Sequence, residues 1–249
     1  MIELTGVTKR YGKTVAVDHI DLTVERGEIF GFLGPNGAGK TTTIKLITGI
    51  LDPDAGQVKV NGFNIVTEAI EAKRSFGFVP DDPNIFPRLK AIEYLRFMGD
   101  IYKVDPAVRV ERITRLAARF GINDVLGDRI QSFSHGMRQK LILVGALLHD
   151  PKLWILDEPM TGLDPQAAYT LKNMMREHTA LGNTVFFSTH VLDTAEKICD
   201  RVAIIDRGQI RYCGTVAALR AQSAADRSLE QMFLDLVGSE MDDSGSAKP

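Results

Sequence analysis

"GPNGAGKT", residues 34 to 41, decides the fold. It fits G-x-x-x-x-G-K-[ST], and its flanks fit the same reading. "GEIFGFLG" (27–34) is a short apolar run that reads as a buried strand, and "GKTTTIKLITGI" (39–50) opens a helix. A strand that turns through glycines into a helix start is a cradle for a phosphate chain. The glycines let backbone N–H groups face the anion, and the helix N-terminus adds partial positive charge. Gly34, Pro35, Asn36, Gly37, Ala38, Gly39, Lys40, Thr41 and Thr42 are therefore the expected nucleotide-binding residues. Lys40 would reach the β- and γ-phosphates, and the Thr41 hydroxyl would bind Mg²⁺. The motif implies a nucleoside triphosphate and does not by itself name the reaction.

Moving outward, "IELTGVTKRYG" (2–12) and "TVAVDHIDLTV" (14–24) alternate with period 2 and read as antiparallel strands near an edge. "GQVKVNGFNI" (56–65) reads as a hairpin turning at Asn61-Gly62, and "SFGFVP" (75–80) as a strand ended by Pro80. Two helices follow in 90–120, with Pro106 in the first turn of the second and Gly121 as its stop. "HGMRQKLILVGALLHD" (135–150) reads as a largely buried helix. After it, strands "KLWILD", "TVFFST" and "RVAIID" alternate with helices, the pattern of parallel α/β. Residues 207–237 read as a strand pair and helices, and the polar tail 238–249 as disordered.

"LWILDEP" (153–159) places Asp157 and Glu158 at the end of an apolar strand. Carboxylates there are costly to bury unless they serve a cation or a proton. Asp157 suits Mg²⁺ coordination through water, and Glu158 suits polarising the attacking water as general base. Adjacent strand residues point to opposite faces, so the two acids need not share one job.

Composition excludes more than it identifies. The chain has 249 residues, 44% hydrophobic and 25% charged, with a net charge of −2. That balance argues against a nucleic-acid partner. Cys199 and Cys213 are expected as reduced core thiols, and His19, His135, His149 and His178 lack metal-ligand spacing, so no metal beyond Mg²⁺ is expected. The opening residues alternate like a strand, so no export signal is expected. "LILVGALL" (141–148) is far too short to span a bilayer.

Six elements in order resemble the ATP-binding subunit of an ABC transporter, over about residues 2 to 220: Tyr11, "GPNGAGKTT", "FVPDDPN", "FSHGMRQK", "ILDEP" with "TGLDP", and "STH" (188–190). "SHGM" and "GFVPDD" look most like cassettes of two-component exporters and permeases with a separate membrane subunit. The resemblance implies an α/β P-loop cassette (1–220) with a mostly parallel core sheet, an N-terminal antiparallel β subdomain and an inserted helical subdomain at about 88–150. Residues 221–237 would be a C-terminal helix extension. It implies that Tyr11 stacks on adenine and that His190 contacts the γ-phosphate. Ser134, His135, Gly136 and Met137 would form the signature that meets the partner's ATP, and Asp164 would speak across the dimer. It also implies a second cassette, identical or not, a membrane permease subunit, and a place on the cytoplasmic face of the cell membrane. ATP would close the pair, hydrolysis would reopen it, and export is the favoured direction.

Two departures stand out against the family pattern. Asp81 occupies a position that usually holds glutamine. It would ligate Mg²⁺ more firmly, slow hydrolysis by repulsion, or play no part, with Asp82 or Asn84 taking the role or the loop simply pointing away. In the signature, His135 replaces a glycine and Met137 a glutamine, while Ser134 keeps the hydroxyl and helix cap and Gly136 the close approach. Ile85, Phe86 and Leu89 are expected as exposed contacts for a membrane subunit. The alternative is a single-cassette ATPase acting as an ATP-gated dimerisation module without transport. Retention of Glu158 and His190 weighs against it.

Overall fold

In the computed structural model, which describes residues 1–83, 85–221 and 231–233, two sheets carry the chain. Strands β1 (Ile2–Tyr11), β2 (Thr14–Val24), β4 (Ala55–Val60) and β5 (Phe63–Asn64) form an antiparallel sheet in the order β2-β1-β4-β5. The β4–β5 turn falls at Asn61-Gly62, both at positive φ (52° and 87°), as the dipeptide predicts. Strands β3 (Ile29–Leu33), β6 (Phe76–Val79), β7 (Leu153–Leu156), β8 (Thr184–Thr189), β9 (Arg201–Asp206) and β10 (Gln209–Thr215) form the second sheet, ordered β10-β9-β3-β8-β7-β6. It is parallel except for β10, which returns antiparallel along β9.

Register brings the strand ends together. Leu33 pairs with Thr189, Phe187 with Leu156, and Leu156 with Val79. The loops after β3, β6, β7 and β8 therefore leave the sheet at one edge, where ligands of open parallel sheets bind.

The central strands are buried on both faces, which is why they read as unbroken apolar runs. Trp154, Leu156, Val185 and Phe187 point into one core, with Leu95 of α3 (Ala91–Ile101), Leu116 of α4 (Pro106–Phe120), Leu141 of α5 (His135–Leu147) and Leu171 of α6 (Pro165–Ala180). Phe30, Phe32, Ile155 and Phe186 point into the other, with Ile44 of α1 (Lys40–Ile47) and the antiparallel sheet. Phe30 and Phe186 stack across neighbouring strands at 5.9 Å. A smaller cluster joins β9 to α7 (Leu192–Ile198), α8 (Val216–Ala221) and Met232.

Helix ends follow the expected chemistry. Asp105 accepts from the N–H groups of Ala107 and Val108 ahead of Pro106, and Gly121 closes α4 at φ 66°. Several expectations change. Short α2 (Ala69–Arg74) was not signalled, because only Ala72 of it is buried. Ile85 and Leu89 pack against the core, and only Phe86 of that trio is strongly exposed. Cys199 lies against the core but Cys213 is exposed, since β10 is an edge strand. Of the expected strand pair and helices in 207–237, β10, α8 and a helical piece at 231–233 are described, while 222–230, 234–237 and the tail 238–249 lie outside the described residues. Among the described residues no helix is long and apolar enough to cross a membrane.

Candidate active site

The glycine-rich loop joins β3 to α1. Gly39 is the N-cap of α1 at φ 110°, and a Cβ there would meet the Ala16 carbonyl at 2.5 Å, so no other residue fits. No side chain caps this helix, which leaves its first-turn N–H groups for a ligand. Lys40 is only 7% exposed. Its Nζ donates to the carbonyls of Gly34 (2.7 Å) and Pro35 (3.1 Å) and lies 3.8 Å from Glu158 Oε1. Burial pushes the Lys40 pKa down, while Glu158, Asp157 and Asp81 oppose that shift.

The acid pair sits just past β7. The Asp157 N–H donates to the Val79 carbonyl (2.8 Å), and the side chain is 2% exposed. Ser188 Oγ donates to Asp157 Oδ1 (2.6 Å) and accepts the Glu158 N–H (3.0 Å), tying both acids to β8. Burial raises the Asp157 pKa. Hydrogen bonds from Ser188 and Thr41 pull it back, and the charges of Asp81 and Glu158 add to the rise. Glu158 lies beyond the strand, in the left-handed region at φ 46°, so backbone conformation separates the two carboxylates rather than strand alternation. Its Oε1 lies 3.0 Å from His190 Nδ1, so the glutamate is gripped from two sides.

Lys40 and Glu158 border one cavity of about 200 Å³, with Gly37, Gly39, Thr41 and Asp81 also in its wall, while Asp157 and His190 lie just outside its lining. Asp81 thus faces the phosphate cradle rather than away from it. Thr41 and Asp157 fit a hard divalent cation. The Asp157 carboxylate is buried, its side-chain partners are the hydroxyls of Ser188 and Thr41, and oxygen donors are what Mg²⁺ takes. Tyr11 is 48% exposed at the end of β1 and does not line this cavity.

The candidate signature stands elsewhere. Ser134 caps α5, its Oγ accepting the Met137 N–H at 3.2 Å. None of residues 134–137 lines the cavity of their own chain. They pack instead on the loop that follows Glu158. A Cβ at Gly136 would meet the Gly162 carbonyl at 2.6 Å, and one at Gly162 would strike the His135 ring. Buried Gln139 reaches the Pro159 carbonyl (3.4 Å). Lys140 Nζ donates to Asp164 Oδ2 (2.5 Å), and Asp164 Oδ1 accepts the Ala167 N–H (2.8 Å) as the cap of α6. Lys140 and then Ala167 hold the Asp164 carboxyl below its usual range. Both oxygens of Asp164 are therefore engaged within their own chain. Sequence reasoning missed Ser188 and Lys140. "STH" did contain the serine, and Lys140 lay four residues past Gly136.

Comparison with known proteins gives a consistent answer. The family described as ABC transporter matches residues 17–161. The linearmycin resistance ATP-binding protein LnrL of Bacillus subtilis (strain 168) is 35% identical, over 92% of this chain and 74% of its own. The Nod factor export ATP-binding protein I of Cupriavidus pinatubonensis (strain JMP 134 / LMG 1197) is 36% identical, over 97% of this chain and 73% of its own. A solved structure of an ATP binding subunit of an ABC transporter superposes with a TM-score of 0.90 at 33% identity, covering 95% of this chain and 99% of that one.

Proposed function

The chain belongs to the ABC transporter family as an ATP-binding, ATP-hydrolysing cassette, and from that premise we propose how its residues divide the work. One observation carries the proposal: Lys40 and His190 converge on the Glu158 carboxylate at the rim of the glycine-rich cradle.

The backbone N–H groups of residues 34–42 hold the phosphates, and the buried Lys40 ammonium offsets charge on the β- and γ-oxygens. Tyr11, exposed at the end of β1, stacks on adenine. Glu158 Oε1 accepts a proton from water as its oxygen attacks the γ-phosphorus. The bond to the ADP oxygen breaks as the new one forms. His190 keeps the carboxylate aimed and donates toward the γ-phosphate. Thr41, Asp157 and Asp81 would hold Mg²⁺, which supplies charge neutralisation between β- and γ-phosphates.

The signature Ser134, His135, Gly136 and Met137 would meet the ATP of a second cassette. Ser134 and His135 are exposed at the start of α5, which supports that reading. A membrane permease subunit on the cytoplasmic face completes the machine, with export favoured because both relatives are named for resistance or export. Exposed Phe86, edge-on to exposed Phe97 at 5.6 Å, suits a contact with it. Co-purification with a multi-span chain from membranes tests the partner.

Sedimentation tests the pairing. The chain with ATP and a chelator, which blocks turnover, should run as a dimer, and with ADP as a monomer. A monomer in both rules the sandwich out. Asp81→Ala should raise the Mg²⁺ needed for half-maximal turnover by on the order of tenfold. An unchanged Mg²⁺ requirement removes Asp81 from the metal site.

A further inference from the structure

The pole opposite the nucleotide site carries a second recess. A cavity of about 500 Å³ opens where β3, β6, β7 and β8 begin. Arg26 approaches it from the turn before β3, Arg74 from the end of α2, and Lys152 from the residue before β7. These three residues lie far apart in the sequence, so the fold rather than local sequence gathers the charges.

Among the described residues, no side-chain hydrogen bond or ion pair reaches Arg26, Arg74 or Lys152. The acid in the same wall, Asp150, is already bound to Arg112 at 3.3 Å. Three like charges around one concavity repel each other and focus a positive potential into it. Two guanidinium forks and an ammonium are the donor set that matches phosphate oxygens. Pro151 and the exposed Leu181 give the recess an apolar side. Its volume is that of a small-molecule site.

We propose that this recess is a second anion site, separate from the cradle, that takes a small organic phosphate. The charges would grip the phosphate, and Leu181 and Pro151 would cover the rest. The ligand is a free molecule, because the cations ring a hollow rather than spread over a face.

The probe is inorganic pyrophosphate, added to the full chain with its nucleotide site saturated by ADP in the presence of a chelator, and followed by calorimetry. One equivalent should bind. The Arg26→Gln/Arg74→Gln variant should bind at least tenfold more weakly, while Lys40→Ala, which damages only the cradle, should leave binding unchanged. Binding lost in Lys40→Ala and kept in the double variant would place the probe in the cradle and overturn the proposal. So would equal displacement by chloride at matched ionic strength, which is the signature of diffuse charge. A second readout on the unmutated chain guards against misfolding of the variant. Pyrophosphate should slow acylation of Lys152 several-fold relative to Lys197, and equal rates count against the site.

Discussion

Glu158→Gln should lower ATP turnover by about 10³-fold while leaving ATP binding within a few-fold of the unmutated chain. The amide keeps the size of the side chain and its approach to His190 but cannot take a proton from water. The cradle is built by other residues, so affinity survives. Two contacts make the effect large. Lys40 lies 3.8 Å and His190 3.0 Å from Oε1, so a neutral side chain also loses the charge that both were placed to meet. Steady-state turnover and equilibrium nucleotide binding measured on one preparation decide the matter. Turnover within tenfold of the unmutated chain would mean that Glu158 is not the base.

Ser134→Arg should abolish ATP-driven pairing and reduce turnover by more than tenfold, with the monomer still folded. The hydroxyl caps α5, and its loss costs about 1 kcal/mol. The larger damage is electrostatic and steric. A guanidinium at a helix N-terminus opposes the partial positive charge there, and its bulk stands where another chain's γ-phosphate must approach. Sedimentation with ATP measures the pairing. Ser134→Ala is the milder arm, keeping the space and losing only the cap. Pairing and turnover untouched in Ser134→Arg would sink the signature reading, His135 and Met137 included.

Much of this architecture was legible in the chain because its signals are local. The cradle needs glycines at fixed spacing, and the buried strands β3, β7 and β8 are apolar on both faces, so "IFGFL", "LWIL" and "TVFFST" announce themselves. Asp105, Pro106 and Gly121 mark α4 at both ends for the same reason. What stayed hidden depends on pairing between distant segments. Ser188 matters only because β8 lies beside β7 and brings its hydroxyl to Asp157 and Glu158. Lys140 matters only because the loop after Glu158 folds back on α5. The burial of Ile85 and Leu89 was likewise set by the helices they pack against, which the prolines around them do not reveal. The strand-alternation argument for the acid pair failed because β7 ends one residue before it.

Glu158 is held at φ 46°, a conformation that a side chain bearing Cβ adopts at a cost of about 1 kcal/mol. Glycine would sit there unstrained. Glu158→Gly should therefore melt higher than Glu158→Ala, as differential scanning calorimetry of the two would show. A melting point for Glu158→Gly below that of Glu158→Ala would mean that the turn carries no strain. Durability and turnover pull this position in opposite directions. Among variants that have already lost the carboxylate, a search that rewarded heat resistance alone would settle on glycine at residue 158, and every such chain would be inert.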